Sequence, residues 1–194
     1  VFYRPEDGHG LPHNPFNALV TPRPIGWIAT RGPLGDNLSP YSFFNAVAYT
    51  PPQVMFASNG AKDSLTNLRA SGVFAVNVVG EADLAAMSDT SASYPPGTDE
   101  FAAVGVDRAP CATIDCPRVA GAPATLECTL IDVIALRGRD NFLILGEVTG
   151  IHLRDDCLIG GRFDASAYRP LARMGYRDYA VVRDVFELRR PDDA

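Results

Sequence analysis

Two alternating segments, Ala124 to Arg137 and Phe142 to Leu153, are joined by the turn residues Gly138-Arg139-Asp140-Asn141. Apolar and polar residues exchange along both, as in half-buried strands, and so short a polar link returns the chain antiparallel. The shorter apolar runs follow the same plan: Ile25 to Thr30, Leu38 to Asn45, Gln53 to Ala57, Val73 to Val79 and Val182 to Leu188 all read as strands. The first two are expected to pair across the turn at Gly32 to Gly35, and Pro51-Pro52 marks the stop before the third. Helical signals are brief. Leu65, Leu68 and the closing Gly72 suit one short helix, and Ala82 to Met87 a second. Strands that return by hairpins leave open edges, and closure into a barrel removes them. The expected fold is mainly β, an antiparallel barrel of Greek-key type with a few short helices.

At 194 residues the chain suits one core. The expected division is a polar arm over 1–15 and a single domain over 16–194. Hydrophobic residues make up 46% and charged residues 21%, enough apolar surface to exclude disorder. A formal net charge of -6 argues against nucleic acid or an anionic membrane as partner. No run approaches membrane-spanning length, and the polar start VFYRPEDGHG has no apolar signal core, so a soluble cytoplasmic protein is expected. Cys111, Cys116, Cys128 and Cys157 show no metal-ligand spacing and read as free thiols, Cys128 as a core one. His9 and His13 sit in HGLPH, where Gly10 and Pro12 oppose a helix, so the segment reads as an exposed arm and no metal is expected.

Two neighbouring stretches look chemical. Ser58 to Ser64 reads SNGAKDS, a small-polar turn leading into the helix of Leu65 and Leu68. Free backbone N–H groups at a helix start, hydroxyls and an ammonium together make a phosphate site. Lys62 is the only lysine among 17 basic residues, which points to a need for a compact ammonium there. Ser39 to Asn45 reads SPYSFFN, small polar groups among aromatics suited to a planar ring at the other end of the same ligand. Phe43 and Phe44 are adjacent, so in a strand only one of them faces the core. The long stretch Ser88 to Pro117, rich in Ser, Pro and Gly, is the kind of excursion that caps a site or an interface. The chain has no G-x-G-x-x-G fingerprint, P-loop, nucleophile elbow or spaced carboxylate pair. That pattern fits a protein whose cofactor carries the reaction.

Arg23 to Thr30 (RPIGWIAT), Asn37 to Val47 (NLSPYSFFNAV), Lys62 to Leu68 (KDSLTNL), Val73 to Val79 (VFAVNVV), Leu145 to His152 (LGEVTGIH) and Pro170 to Tyr179 (PLARMGYRDY) resemble, in order and spacing, the flavin reductase-like family of FMN-binding split barrels, flavoredoxins included. The resemblance implies a homodimeric split barrel that passes hydride from NADH or NADPH to FMN. The alternative is a flavoredoxin-like FMN carrier that takes electrons from a redox partner protein without oxidising NAD(P)H, and a deazaflavin in the same barrel is a further one. By the same resemblance Ser58, Lys62 and Ser64, with amides around Asp63, hold the phosphate. The ring lies along Ser42, Phe43, Phe44, Asn45 and Ala46, with Thr30 also at the cofactor. Asp63 reads alternatively as the cap of the helix, its charge offset by Lys62. Met174, Gly175 and Tyr176 match a Leu-Gly-Gly or Leu-Gly-Tyr segment that borders the cofactor, with Met174 in place of leucine. His152 becomes a candidate contact to nicotinamide or substrate.

Overall fold

The computed structural model describes residues 1–189 and 191; the last part of the expected domain, 190 and 192–194, lies outside the described residues. Helix α1 (Phe16–Leu19) leads into strands β1 (Arg23–Pro24), β2 (Gly26–Gly32), β3 (Gly35–Tyr41), β4 (Phe44–Tyr49) and β5 (Pro52–Asn59). Helix α2 (Asp63–Ser71) and β6 (Val73–Val78) follow. The excursion carries α3 (Leu84–Asp89), α4 (Glu100–Val104), β7 (Arg108–Pro110) and β8 (Pro117–Val119). Then come the long hairpin β9 (Ala124–Ala135) and β10 (Asn141–Leu153), the short pair β11 (Leu158–Ile159) and β12 (Arg162–Phe163), and α5 (Ala165–Tyr168). Strands β13 (Leu171–Gly175) and β14 (Asp178–Val181) close the order.

Seven strands form one antiparallel sheet in the order β3-β2-β6-β9-β10-β5-β4. Strands β3 and β4 therefore sit at opposite edges, yet only Ser42 and Phe43 separate them. A flat sheet of this width would span about 29 Å between its edges at ~4.8 Å per strand. Tyr41 and Phe44 stand at most about 11 Å apart along the chain. The sheet must curl until its edges meet, which makes it a barrel. A second sheet, β1-β13-β14, lies beside the seam.

This closure corrects one expectation. Leu38 to Asn45 is not a single return strand: the chain leaves β3 at Tyr41, and pairing with β5 begins where the Phe43 carbonyl accepts the Ala57 amide at 2.8 Å. Val182 to Leu188 is a second correction. The last strand ends at Val181, and Val185, Phe186 and Leu188 are exposed, with no neighbouring strand to pair them.

Ile28, Phe56, Phe74, Val76 and Ile144 fill the barrel, and Leu65 and Leu68 of α2 complete the same cluster. Each such side chain contributes about 1.5–3 kcal/mol by leaving water. Tertiary burial, not helix propensity, therefore holds this short helix in place. Helix α2 begins after Lys62 in an extended conformation and stops at Gly72, which is left-handed. It lies so close to β2 that a Cβ on Gly32 would stand 2.7 Å from the Asn67 Cα. Buried Asn67 uses that approach, accepting the Leu34 amide and donating to the Gly35 carbonyl, so the helix also fixes the β2–β3 turn.

The excursion covers the outer face of the barrel. Met87, Phe101 and Cys116 join Trp27, Ala29 and Ala75 in an outer cluster. Polar ties fasten it: Trp27 Nε1 donates to Thr90 Oγ1 at 2.9 Å, the Gly97 amide to Asp63 at 2.7 Å, and the Val119 amide to Asn77 at 2.9 Å. Trp27 is a fully buried core residue. All four cysteines are free thiols, and Cys128 is fully buried. No helix among the described residues is long and apolar enough to cross a membrane.

Candidate functional site

A cavity of about 380 Å³ opens between the end of β3, the start of α2 and the excursion. Ser39, Pro40 and Tyr41 form one wall, Ala61 to Ser64 another, and Ser91 to Tyr94, Pro96 and Glu100 a third. The excursion lines this cavity through Ser91 to Tyr94, Pro96 and Glu100. Pro40 and Ser91 also border a smaller cavity of about 110 Å³, lined further by Ile25, Ser42, Met87, Arg173 and Tyr179. The two lie side by side, with Lys62 on the first and Ser42 on the second.

Lys62 stands exposed at the entrance, its ammonium in no ion pair among the described residues. Asp63 and Ser64 occupy the first turn of α2, where a helix leaves its N–H groups free. The capping residue is Lys62 and not Asp63, which corrects the alternative reading of Asp63 as the cap. The Asp63 carboxylate is turned to the Gly97 amide of the excursion instead.

Behind this entrance runs a buried polar chain. Tyr41 donates its hydroxyl to Ser64 Oγ at 3.1 Å, Ser64 donates to Asn37 Oδ1 at 2.6 Å, and Asn37 Nδ2 donates to both Glu100 oxygens at 2.9 Å. The amide of Leu38 also donates to Glu100. Burial pushes the Glu100 carboxyl up from its ordinary range, the Leu38 and Asn37 contacts hold it down, and the charge of Asp63 adds to the rise. Burial likewise raises the Tyr41 phenol against the hydroxyl of Ser64. Glu100 was visible in the sequence only as one acid in a loop. Its role as the floor of the cleft comes from a contact with β3 that sequence spacing does not carry.

Ser58 is buried and its hydroxyl donates to the Gly60 carbonyl. Ser42 borders the small cavity. Phe44 joins the barrel interior, while Phe43 is 44% exposed with the Arg23 guanidinium 5.3 Å from its ring centre. Asn45 and Ala46 lie exposed on β4, the Asn45 carbonyl accepting the Ala46 amide at 2.9 Å. Thr30 is fully buried and its hydroxyl accepts from Asn67, so it lines neither cavity. Met174 is half-buried, and Gly175 and Tyr176 turn the chain from β13 to β14, with Tyr176 edge-on to His13.

His152 is placed elsewhere. It pairs with Thr125 on the face covered by the excursion, its Nε2 against the Glu127 carboxylate. Glu127 is fully buried and also accepts the Ala112 and Thr113 amides at 2.6 Å and the Thr113 hydroxyl at 2.5 Å. No cluster of His, Cys, Asp and Glu suited to a metal ion is found among the described residues.

The chain matches the model of the flavin reductase like domain over residues 19–172. An uncharacterized protein of Deinococcus radiodurans is 41% identical over 187 residues, covering 89% of this chain and 82% of that protein. A 2-nitrobenzoate 2-nitroreductase of Pseudomonas fluorescens superposes with a TM-score of 0.83 at 30% identity, covering 92% of this chain and 90% of its own. Component B of nitrilotriacetate monooxygenase from Bacillus cereus gives 0.85 at 28%, with 93% and 100% covered. With the curled antiparallel sheet and the match running from α1 to β13, the chain belongs to the flavin reductase-like family of split barrels.

Proposed function

We propose that the protein is an FMN-dependent oxidoreductase that takes hydride from NAD(P)H. The observation that carries this reading is the entrance of the cleft: an unpaired ammonium, Lys62, beside the first-turn amides of α2 on the wall of a cavity of about 380 Å³. That volume lies within the usual range of ligand pockets. The donor set fits a phosphate ester: a compact cation, amides on the positive end of a helix, and neighbouring acids already hydrogen-bonded to other groups. The Asp63 carboxylate is held by the Gly97 amide, and that of Glu100 by Asn37 and the Leu38 amide.

When bound, FMN supplies a two-electron acceptor for hydride. The residues of the chain bind and orient. Lys62 and the amides of Asp63 and Ser64 hold the phosphate, with Ser58 shaping the turn through Gly60. The Ser42 to Ala46 backbone and the Asn45 side-chain NH2, whose carbonyl is already used by Ala46, would hydrogen-bond the ring. Met174, Gly175 and Tyr176, on and after β13, would border the bound ring. No side chain has to give or take a proton for hydride to arrive, so the lack of a triad is no obstacle. The redox names of the nitroreductase and the monooxygenase component support the same class of chemistry.

The functional unit in this reading is a homodimer. Edge strand β4 is exposed from Asn45 to Tyr49, with Val47 50% and Tyr49 93% accessible, and Ile131 and Ile134 of β9 add apolar surface. An open, apolar edge of this kind calls for cover. Light scattering on the purified protein is expected to give twice the chain mass of 20.8 kDa, and a monomer at micromolar concentration would remove the dimer.

The catalytic reading is tested in two steps. FMN added to the apoprotein should lose fluorescence on binding, and NADH or NADPH should then be consumed with FMN in excess. Bound FMN that is reduced only by a partner protein would make the molecule a carrier instead.

A further inference from the structure

Arg23 and Arg173 stand directly opposite each other on β1 and β13. Like charges in that position repel, and such pairs are destabilising unless something balances them. Nothing charged does so here. Arg23 is 7% exposed, and its Nη1 donates only to the carbonyls of Asn17 and Val20. Its Nε is buried without a partner. Arg173 donates to the Tyr179 hydroxyl at 2.5 Å and to the Tyr176 carbonyl, with its guanidinium 4.6 Å from the Tyr179 ring centre. Neither arginine meets a carboxylate among the described ion pairs. Burial, and then the charge of Arg173, both work against the cation on Arg23. An arginine does not shed its proton to escape.

The pair borders open space. Arg173 and Tyr179 line the cavity of about 110 Å³, which meets the Lys62 cavity at Pro40 and Ser91. The remaining walls are apolar, Ile25, Pro40 and Met87, apart from the hydroxyls of Ser42 and Ser91. One guanidinium beside two serine hydroxyls in a small pocket suits a compact anion, with a planar carboxylate matching the guanidinium fork.

We propose that Arg173, backed by Arg23 and flanked by Ser42, receives the carboxylate of a second ligand, a small organic acid, beyond Pro40 and Ser91 from Lys62. The flavin reading enters only in making this acid the acceptor that the oxidoreductase serves; the binding site itself stands without it. Arg23 is the positioning residue, since it raises the positive potential while its own Nη1 is spent on carbonyls.

The test uses the apoprotein, with benzoate as probe in titration calorimetry and FMN followed separately by fluorescence. Benzoate is expected to bind wild type and to weaken by about tenfold or more in Arg173→Gln, the scale of one charge-assisted contact. Tyr179→Phe, which frees Arg173 without removing its charge, should weaken benzoate less than Arg173→Gln. Melting curves confirm that both variants fold. No benzoate binding by wild type, or equal binding by Arg173→Gln, overturns the proposal. So does inorganic phosphate binding more tightly than benzoate, or a loss of FMN affinity that parallels the loss of benzoate, because the arginines would then serve the cofactor. Failure of FMN to bind wild type while benzoate still does would sink the flavin reading and leave this one standing.

Discussion

Replacing Glu127 with alanine is expected to lower the stability of the fold by about 3–5 kcal/mol, the scale for breaking a buried ionic cluster from one side. The carboxylate has no solvent exposure, and four donors converge on it: two amides and a hydroxyl from Ala112 and Thr113, and the ring of His152. Burial alone would raise its pKa, but the Thr113 hydroxyl, the Ala112 amide, His152 and the Thr113 amide overcome burial and bring it down to about 2. A folded-state pKa below the unfolded one means that the contribution is present above the ordinary carboxylate range and is lost as pH falls toward 2. Over that window the loss amounts to about 3 kcal/mol. Denaturant melts at neutral pH and at steps down to about pH 2 should therefore show wild type losing more stability on acidification than Glu127→Ala, which starts low. Parallel pH profiles for the two proteins would remove Glu127 from this role. His152→Ala, which deletes one donor of four, should cost less, and in this reading it leaves NAD(P)H kinetics unchanged per folded molecule.

How much of this was legible in the chain depends on how local each signal is. The β9–β10 hairpin was, because strand alternation and a short turn are read within a single window. Helix α2 was, through Leu65, Leu68 and Gly72. The break at Ser42 was not, because it follows from the five strands that complete the barrel between β3 and β4. Glu127 was hidden for a related reason. Thr125, Glu127 and Thr129 alternate with apolar neighbours and read as a solvated face, yet Thr125 and Glu127 are buried once the excursion folds over them. Glu100 and the Arg23–Arg173 pair escaped notice likewise, being assembled from segments far apart in sequence. Lys62 stood out because two independent signals met at one residue, a lone lysine and a helix start, and the structure puts it on a cavity wall at the start of α2.

Lys62→Ala is expected to weaken FMN binding by about ten- to a hundredfold, from the loss of a charge-assisted contact worth roughly 1.5–3 kcal/mol. The effect should be confined to the ligand. The side chain is exposed and in no described ion pair, so stability should stay within about 0.5 kcal/mol of wild type. The backbone cap is untouched, since the Lys62 carbonyl accepts the Leu65 and Thr66 amides whatever the side chain. Lys62→Arg should restore part of the affinity, because the charge returns but a planar fork replaces a compact ammonium at a position open to water. Rising salt should weaken wild type more than the alanine variant, since an exposed ammonium is screened and the helix amides behind it are not. Fluorescence titration of FMN at two ionic strengths reads both effects. An unchanged dissociation constant in Lys62→Ala, with the fold intact, would move the phosphate away from α2 and take with it the observation on which the flavin reading rests.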